Sequence, residues 1–369
     1  MFHPRAPSVG VFDTSRRPIV LVWEVSRACD LACDHCRAAA TPARHPDELG
    51  TAEGKRLLEA AAAFGDGQIV ILSGGDPLKR PDLAELIAHG TDLGLRLALT
   101  PSGTTSLTRE RLARLADAGL ARLALSFDAA DPAVHDGHRG ESGVFQETLR
   151  AARWADDLGL ELQVNTTVCE RTVDELPAVR DLVAELGVTR WAVFFLVGVG
   201  RGETLTPVAP ERTDRVFDWL HDVRATSEFA VKTTEAPAFR RVDLERRGVD
   251  PASLTPTRGP PATRPAARAG DGFAFVSHVG EVYPSGFLPV SVGNVREASL
   301  VERYRESDLF ERLRDTGALT GKCGVCPYRQ VCGGSRSRAY AETGDPLGPD
   351  PSCPYEPPAV EGEASTEGN

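Results

Sequence analysis

Cys29, Cys33 and Cys36 follow one another with three and then two residues between them. They come just after Ile19-Val20-Leu21-Val22-Trp23, an apolar, β-branched run that reads as a buried strand. Three thiolates at a strand end can hold a metal centre, but they cannot close a four-ligand shell. A four-iron cubane takes four ligands, so three cysteines leave one iron open to a ligand from outside. A zinc site and unrelated core cysteines are the other readings. Zinc sites favour paired Cys-x2-Cys units, and here the fourth ligand at hand is His35.

A second group, Cys323, Cys326, Cys332 and Cys353, lies near the other end of the chain. Four thiolates suffice for one fully ligated cubane, or for a structural zinc knot. The eighth cysteine, Cys169, ends the apolar run 160–168 and reads as a buried strand residue. With 369 residues, 41% hydrophobic and 26% charged, the chain has the composition of a soluble protein with one large and one smaller domain. No apolar run approaches a membrane span, and residues 1–18 have no signal-peptide core, so a cytoplasmic location without membrane partners is expected. In that compartment clustered cysteines read as metal ligands rather than disulfides. A net charge of −11 argues against nucleic acid as a partner.

The elements that must carry these cysteines alternate. Strands are expected at 19–23, 68–72, 95–99, 122–127, 160–168 and 190–196. Helices are expected at 51–64, 81–93, 108–118, 144–158, 173–186 and 210–226, several stopped by a glycine. Six β–α units in a row predict an α/β fold with a parallel sheet, a partial (β/α)6 barrel of the TIM type. In such a barrel the functional groups gather at the C-terminal ends of the strands. Those ends carry the cysteine loop, Ser73-Gly74-Gly75-Asp76-Pro77, Thr100 to Thr104 with Ser102, Ser126-Phe127-Asp128, Asn165-Thr166-Thr167, and Val197 to Gly202. Beyond 229, Pro237 to Asp271 reads as an irregular segment, a linker or lid. A hairpin over 273–283 turning at Val279-Gly280 and one helix over 299–315 follow. The expected division is an N-terminal extension 1–17, a barrel 18–228, a linker 229–272, a small cysteine-rich iron–sulfur subdomain 273–355 and a disordered acidic tail 356–369.

The stretch Trp23 to Arg37 resembles the signature of the radical S-adenosylmethionine (SAM) superfamily, and the resemblance runs from about Pro18 to Pro354. It implies the partial-barrel fold. It also implies a [4Fe-4S] cluster on Cys29, Cys33 and Cys36 whose open iron takes the amino and carboxylate groups of SAM. Reductive cleavage of SAM to a 5′-deoxyadenosyl radical follows from the same likeness. Gly74, Gly75 and Asp76 match the family's Gly-Gly-Glu-Pro motif, with Asp in place of Glu, and would position the SAM amino group. Ser126, Asp128 and Asn165 are implied at the ribose and methionine parts, His35 and Ser102 at the same cofactor. Val197 falls in the region implied to line the adenine. Arg139, in a His135-Asp136 and Arg139-Gly140 motif, is implied at the SAM carboxylate, with a structural ion pair as the other reading. Each polar strand-end residue has a plain alternative, an internal hydrogen bond.

Cys323 to Cys353, with Pro327 to Arg336 between, resembles the SPASM/twitch extension that binds auxiliary clusters. Two-cluster members carry further cysteines where this chain has Tyr283 to Gly286 and Arg336, so one auxiliary [4Fe-4S] cluster is implied. Trp23-Glu24, Arg27-Ala28-Cys29, Cys36-Arg37-Ala38 and Cys332 to Arg336 look most like superfamily enzymes that modify haem precursors. That likeness implies a carboxylated tetrapyrrole as substrate and a flavodoxin- or ferredoxin-type electron donor. Lys232, Arg240, Arg241 and Arg338 are candidates for a carboxylate clamp. A maturase of a ribosomally made peptide is the alternative, and a non-enzymatic iron–sulfur carrier the last.

Overall fold

In a computed structural model, residues 12–253 and 267–358 are described. Seven strands run parallel in chain order, each hydrogen-bonded to the next: β1 (Val20–Ser26), β2 (Ile69–Gly74), β3 (Arg96–Leu99), β4 (Arg122–Ser126), β5 (Glu161–Val168), β6 (Arg190–Phe195) and β7 (Ala230–Thr234). The connections carry α1 (Thr51–Ala62), α2 (Leu83–Asp92), α3 (Arg109–Asp117), α4 (Pro132–Arg139), α5 (Val144–Asp157), α6 (Leu176–Glu185) and α7 (Pro210–Thr226), and α8 (Phe239–Arg246) follows β7. The sheet does not close on itself; it runs from β7 at one edge to a C-terminal hairpin at the other. It is an open barrel. Trp23 on β1 and Trp191 on β6 are fully buried in its core.

The alternation of strands and helices follows the expected order, with three differences. The sheet gains β7, whose sequence Ala-Val-Lys-Thr-Thr lacks an apolar run. As an edge strand it needs only one neighbour, so its pattern is weak. Helix α4 was not expected; Asp131 caps it by accepting from the Ala133 and Val134 amides, and Pro132 starts it. Part of the segment read as irregular, 237–271, is also helical. In α8, Phe239 and Val242 are buried, and Phe239 packs against Phe217 of α7 at 5.9 Å. The rest of that linker, 254–266, the N-terminal residues 1–11 and the tail from 359 lie outside the described residues.

The expected hairpin forms, from β9 (Gly272–Val276) and β10 (Val282–Tyr283), after the short β8 (Arg268–Ala269). Its placement is the surprise of the topology. β9 pairs with β1 in parallel, Val20 opposite Phe273 through Trp23 opposite Val276. The cysteine-rich segment therefore starts as an extension of the barrel sheet. The expected helix over 299–315 is two, α9 (Leu300–Glu306) and α10 (Asp308–Arg314), because Ser307 between them is extended. The short α11 (Gly321–Val325) and α12 (Arg336–Thr343) complete the fold.

Candidate functional site

β1 ends in the cysteine loop. Gly75 donates to the Ser26 carbonyl at 2.9 Å and Asp76 to the Ala28 carbonyl at 2.6 Å, so the loop lies directly on the end of β2. A Cβ at Gly74, whose φ is +152°, would stand 2.2 Å from the Ser26 carbonyl oxygen; one at Gly75 would stand 2.5 Å from that of Ala28. These glycines are needed for the close approach of the cysteine loop itself. The three sulfurs each receive a donor: Leu31 N–H to Cys29 at 3.3 Å, Ala40 N–H to Cys36 at 3.5 Å, and Arg139 Nη1 to Cys33 at 3.9 Å. Such donors favour a thiolate, whereas burial pushes the Cys29 thiol up to about 11 and that of Cys33 upward too. A bound metal centre resolves that conflict, because it holds the sulfur deprotonated.

All three cysteines line one cavity of about 200 Å³ at the C-terminal ends of the strands. His35, Gly74, Gly75, Ser102, Ser126, Arg139, Asn165 and Val197 line it as well. The structure thus brings together most of the residues named from the sequence. Asn165 keeps its amide nitrogen for a ligand, since Gln163 Nε2 donates to its Oδ1 at 2.8 Å. Thr167 and Phe287 also face this cavity and were not singled out. Thr167 was in view in the Asn-Thr-Thr strand end. Phe287 sits beyond the hairpin, and no local pattern marks it.

Two carboxylates stand off the cavity wall. Asp76 is fully buried, accepts from the Leu78 amide and the Ser106 hydroxyl at 3.1 Å each, and starts a 3-10 turn. Asp128 lies past the end of β4, so strand alternation does not carry it to the side of Ser126. Its carboxylate pairs with Arg139 at 2.7 Å and accepts the Thr167 amide at 2.8 Å. Burial opposes its ionisation, but Arg139 and the nearby imidazoles outweigh burial and hold the acid below the ordinary carboxylate range. Arg139 is thereby an ion-pair partner first, with an edge on the cavity. His35 stacks on His138 at 4.4 Å. Burial pushes the His35 imidazole down to about 3, so it is neutral.

The second cysteine group is also unpaired and packed inward. Cys323 and Cys332 are buried and Cys326 and Cys353 half-buried; burial drives the Cys332 thiol upward, as it drives that of Cys353 to about 11. Asp350 N–H and Arg336 Nη2 reach Cys323 at 3.4 and 3.8 Å, and Gly334 N–H reaches Cys332 at 3.4 Å. Among the described residues, the one set of three potential ligand side chains whose atoms lie within 4.8 Å of each other is His35, Asp128 and His138. No three cysteine sulfurs meet that distance. Thiolates around one tetrahedral zinc stand about 3.8 Å apart, so neither cysteine group is drawn in to the spacing of a single zinc ion. Cys169 is buried alone at the end of β5.

The expected basic clamp does not assemble. Lys232 is an exposed residue of the edge strand β7, on the side of Arg190 and Arg122. Arg241 pairs with Asp214 and Glu245. Arg338 donates to the Phe195, Leu196 and Glu235 carbonyls and pairs with Asp350. These three, and Arg240 on α8, line neither the cysteine cavity nor a larger one beside it. That second cavity, about 550 Å³, shares Arg37 and Ala38 with the first and is lined by Arg27, Phe275, His278, Tyr283 and Tyr340. The cations at the mouth are therefore Arg27 and Arg37 of the cysteine loop.

Residues 23–183 match the family described as the radical SAM superfamily. The chain is 40% identical to the AdoMet-dependent heme synthase of Methanosarcina barkeri, over 92% of this chain and 97% of that one. The chain belongs to the radical SAM superfamily. It is 38% identical to the AdoMet-dependent heme synthase of Nitratidesulfovibrio vulgaris, over 92% of each. SuiB of Streptococcus suis, solved bound to S-adenosylmethionine, is similar in fold, with a TM-score of 0.71 at 17% identity over 92% of this chain and 78% of that one. As a radical SAM protein the chain is an enzyme that works with a [4Fe-4S] cluster and SAM, and the unpaired, donor-supplied cysteines on the first cavity fit that group. No helix among the described residues is long and apolar enough to cross a membrane.

Proposed function

We propose that this radical SAM enzyme modifies a carboxylated, iron-bearing tetrapyrrole, trimming its acidic side chains as a step of haem formation. The observation that carries the reading is the 40% identity to a heme synthase across nearly the full length of both chains. Cys29, Cys33 and Cys36 hold the cluster, and the cavity they share with Ser126, Asn165, Thr167 and Val197 receives SAM. When bound, cluster and SAM together supply a 5′-deoxyadenosyl radical for hydrogen abstraction.

The chain's own residues do the rest. The strand ends fix SAM against the cysteine loop, and Asn165 offers an amide donor. The buried Asp128–Arg139 pair holds a guanidinium against the Cys33 sulfur. The second cavity, bordering the first through Arg37 and Ala38, takes the macrocycle, with Arg27 and Arg37 as cations for its carboxylates. Cys323, Cys326, Cys332 and Cys353 hold one auxiliary [4Fe-4S] cluster that passes electrons. In this reading residues 18–228 carry the SAM chemistry and 273–355 the auxiliary cluster, with a flavodoxin- or ferredoxin-type protein as donor.

The test is anaerobic incubation of reconstituted enzyme with SAM, a strong reductant and ferric coproporphyrin. The expected result is 5′-deoxyadenosine together with a porphyrin lighter by the mass of one or more carboxyl-derived groups. Turnover of a peptide encoded beside the gene, with no tetrapyrrole consumed, would hand the chain to the peptide maturases.

A further inference from the structure

The second cavity contains an arrangement that neither the cluster nor SAM explains. Glu24 on β1 and His278 in the β9–β10 turn are 254 residues apart, yet His278 Nδ1 and Glu24 Oε1 lie 2.6 Å apart. The parallel pairing of β9 with β1, ending at Trp23 opposite Val276, brings them side by side. The turn is fixed: the His278 carbonyl accepts the Leu49 amide at 2.8 Å, and Gly280 donates to the Ser277 carbonyl at 3.0 Å. Arg37 Nη2 donates to the other Glu24 oxygen at 2.8 Å, and its guanidinium lies 4.6 Å from the Phe275 ring centre. Phe275 in turn stacks on Tyr283, with planes 10° apart. Glu24 is 3% exposed and His278 9%, and both line the cavity.

A carboxylate that accepts a hydrogen bond from Nδ1–H fixes the imidazole's orientation, so Nε2 is the nitrogen left to bind. A histidine backed by a carboxylate is the usual build of a metal-ligating imidazole. Yet His278 belongs to no set of three potential ligands among the described residues. A lone imidazole suits a metal that brings its own equatorial ligands. An iron tetrapyrrole is such a metal, and it is flat, apolar-faced and rimmed by carboxylates. The cavity offers each counterpart: Phe275, Tyr283 and Tyr340 as aromatic walls, and Arg27 and Arg37 as cations.

We propose that His278, oriented by Glu24, is an axial ligand to the iron of the tetrapyrrole substrate bound in the second cavity. This rests on the substrate class proposed above. It adds that the macrocycle is anchored through its metal, and that its position over the SAM cavity is set by the β9–β10 turn.

The experiment is an anaerobic titration of ferric coproporphyrin into the full-length reconstituted protein, followed by its Soret band and electron paramagnetic resonance. Metal-free coproporphyrin is titrated in parallel. The expected wild-type result is a nitrogen-ligated iron spectrum. In His278→Ala and in His278→Gln, which can still bond Glu24, that signature is lost and added imidazole restores it. Metal-free coproporphyrin binds wild type and both variants alike, which shows that the cavity is intact. Glu24→Gln keeps the ligation but weakens ferric coproporphyrin binding about tenfold. An iron spectrum unchanged in both His278 variants overturns the axial ligand while the substrate class stands. Failure of wild type to bind either porphyrin overturns both.

Discussion

The two cysteine groups are built from the same residue type and differ in what closes around them. Cys29, Cys33 and Cys36 leave the end of β1 and open onto a cavity walled by five other strand ends. Cys323, Cys326, Cys332 and Cys353 line neither that cavity nor its neighbour, and Arg336 and the Asp350 and Gly334 amides reach the sulfurs of Cys323 and Cys332. Three ligands with a space in front make a site that binds something else. Four ligands with donors at their back make a site that binds nothing further. Ligand count and surroundings agree in both places, which is why one is read as the seat of SAM chemistry and the other as an electron store.

The largest expected effect tests the open site. Replacing Cys29, Cys33 or Cys36 by Ala should bring 5′-deoxyadenosine formation to background under anaerobic reduction, and retained cleavage in any one variant would break the assignment. Next comes the closed site. Wild type should carry about eight irons from two cubanes. Changing the four C-terminal cysteines to Ala together should leave about four irons and preserve SAM cleavage, while tetrapyrrole turnover is lost. About one zinc per chain with about four irons in the wild type would instead make the closed site a zinc knot.

A third prediction concerns the buried charges that back the open site. Arg139→Met leaves Asp128 ionised and without its partner in the core, which should cost about 3–5 kcal/mol in chemical denaturation. An unchanged midpoint would show that Asp128 takes up a proton without consequence. A fourth uses acid. Burial disfavours the Glu24 carboxylate, but Arg37 and His278 outweigh burial and set it at about 2, below the ordinary 4.5. A carboxylate depressed in the folded state stabilises fully above the unfolded value. That contribution fades as pH falls from about 4.5 towards 2. Melting temperatures across that range should drop more steeply in wild type than in Glu24→Gln, and parallel curves would contradict the pairing. The smallest effect is the control: Cys169→Ala should leave iron content unchanged and cost about 1 kcal/mol, since a small buried group is lost outside either site.

Much of this was readable along the chain. The cysteine spacings, the alternation of apolar runs with capped helices, and the placement of Ser102, Ser126, Asn165 and Val197 at strand ends are local features, and local features leave a period. The misread parts were of two kinds. β7 and α4 are short, polar elements without an apolar period, held by one neighbouring strand or by a cap. Lys232, Arg241 and Arg338 are charged groups whose type was seen but whose surroundings were not.

The sequence by itself determined which residues can bind iron, how many ligands each group offers, and that a β–α repeat presents the first group at a barrel mouth. Only the tertiary structure decided which charges face the substrate. Arg240 and Arg241 follow the barrel closely in sequence, yet neither lines the cysteine cavity or its larger neighbour, and Arg241 is tied to Asp214 and Glu245 on the helical layer. Arg37, inside the cysteine loop, reaches the cavity instead. It also decided that β9 lies beside β1, and hence that His278 meets Glu24. The physical reason is range. A helix or strand is specified by neighbours a few residues away, whereas an ion pair forms wherever the chain's packing brings two charges together. For Glu24 and His278 that depends on a parallel register set by the burial of whole strands.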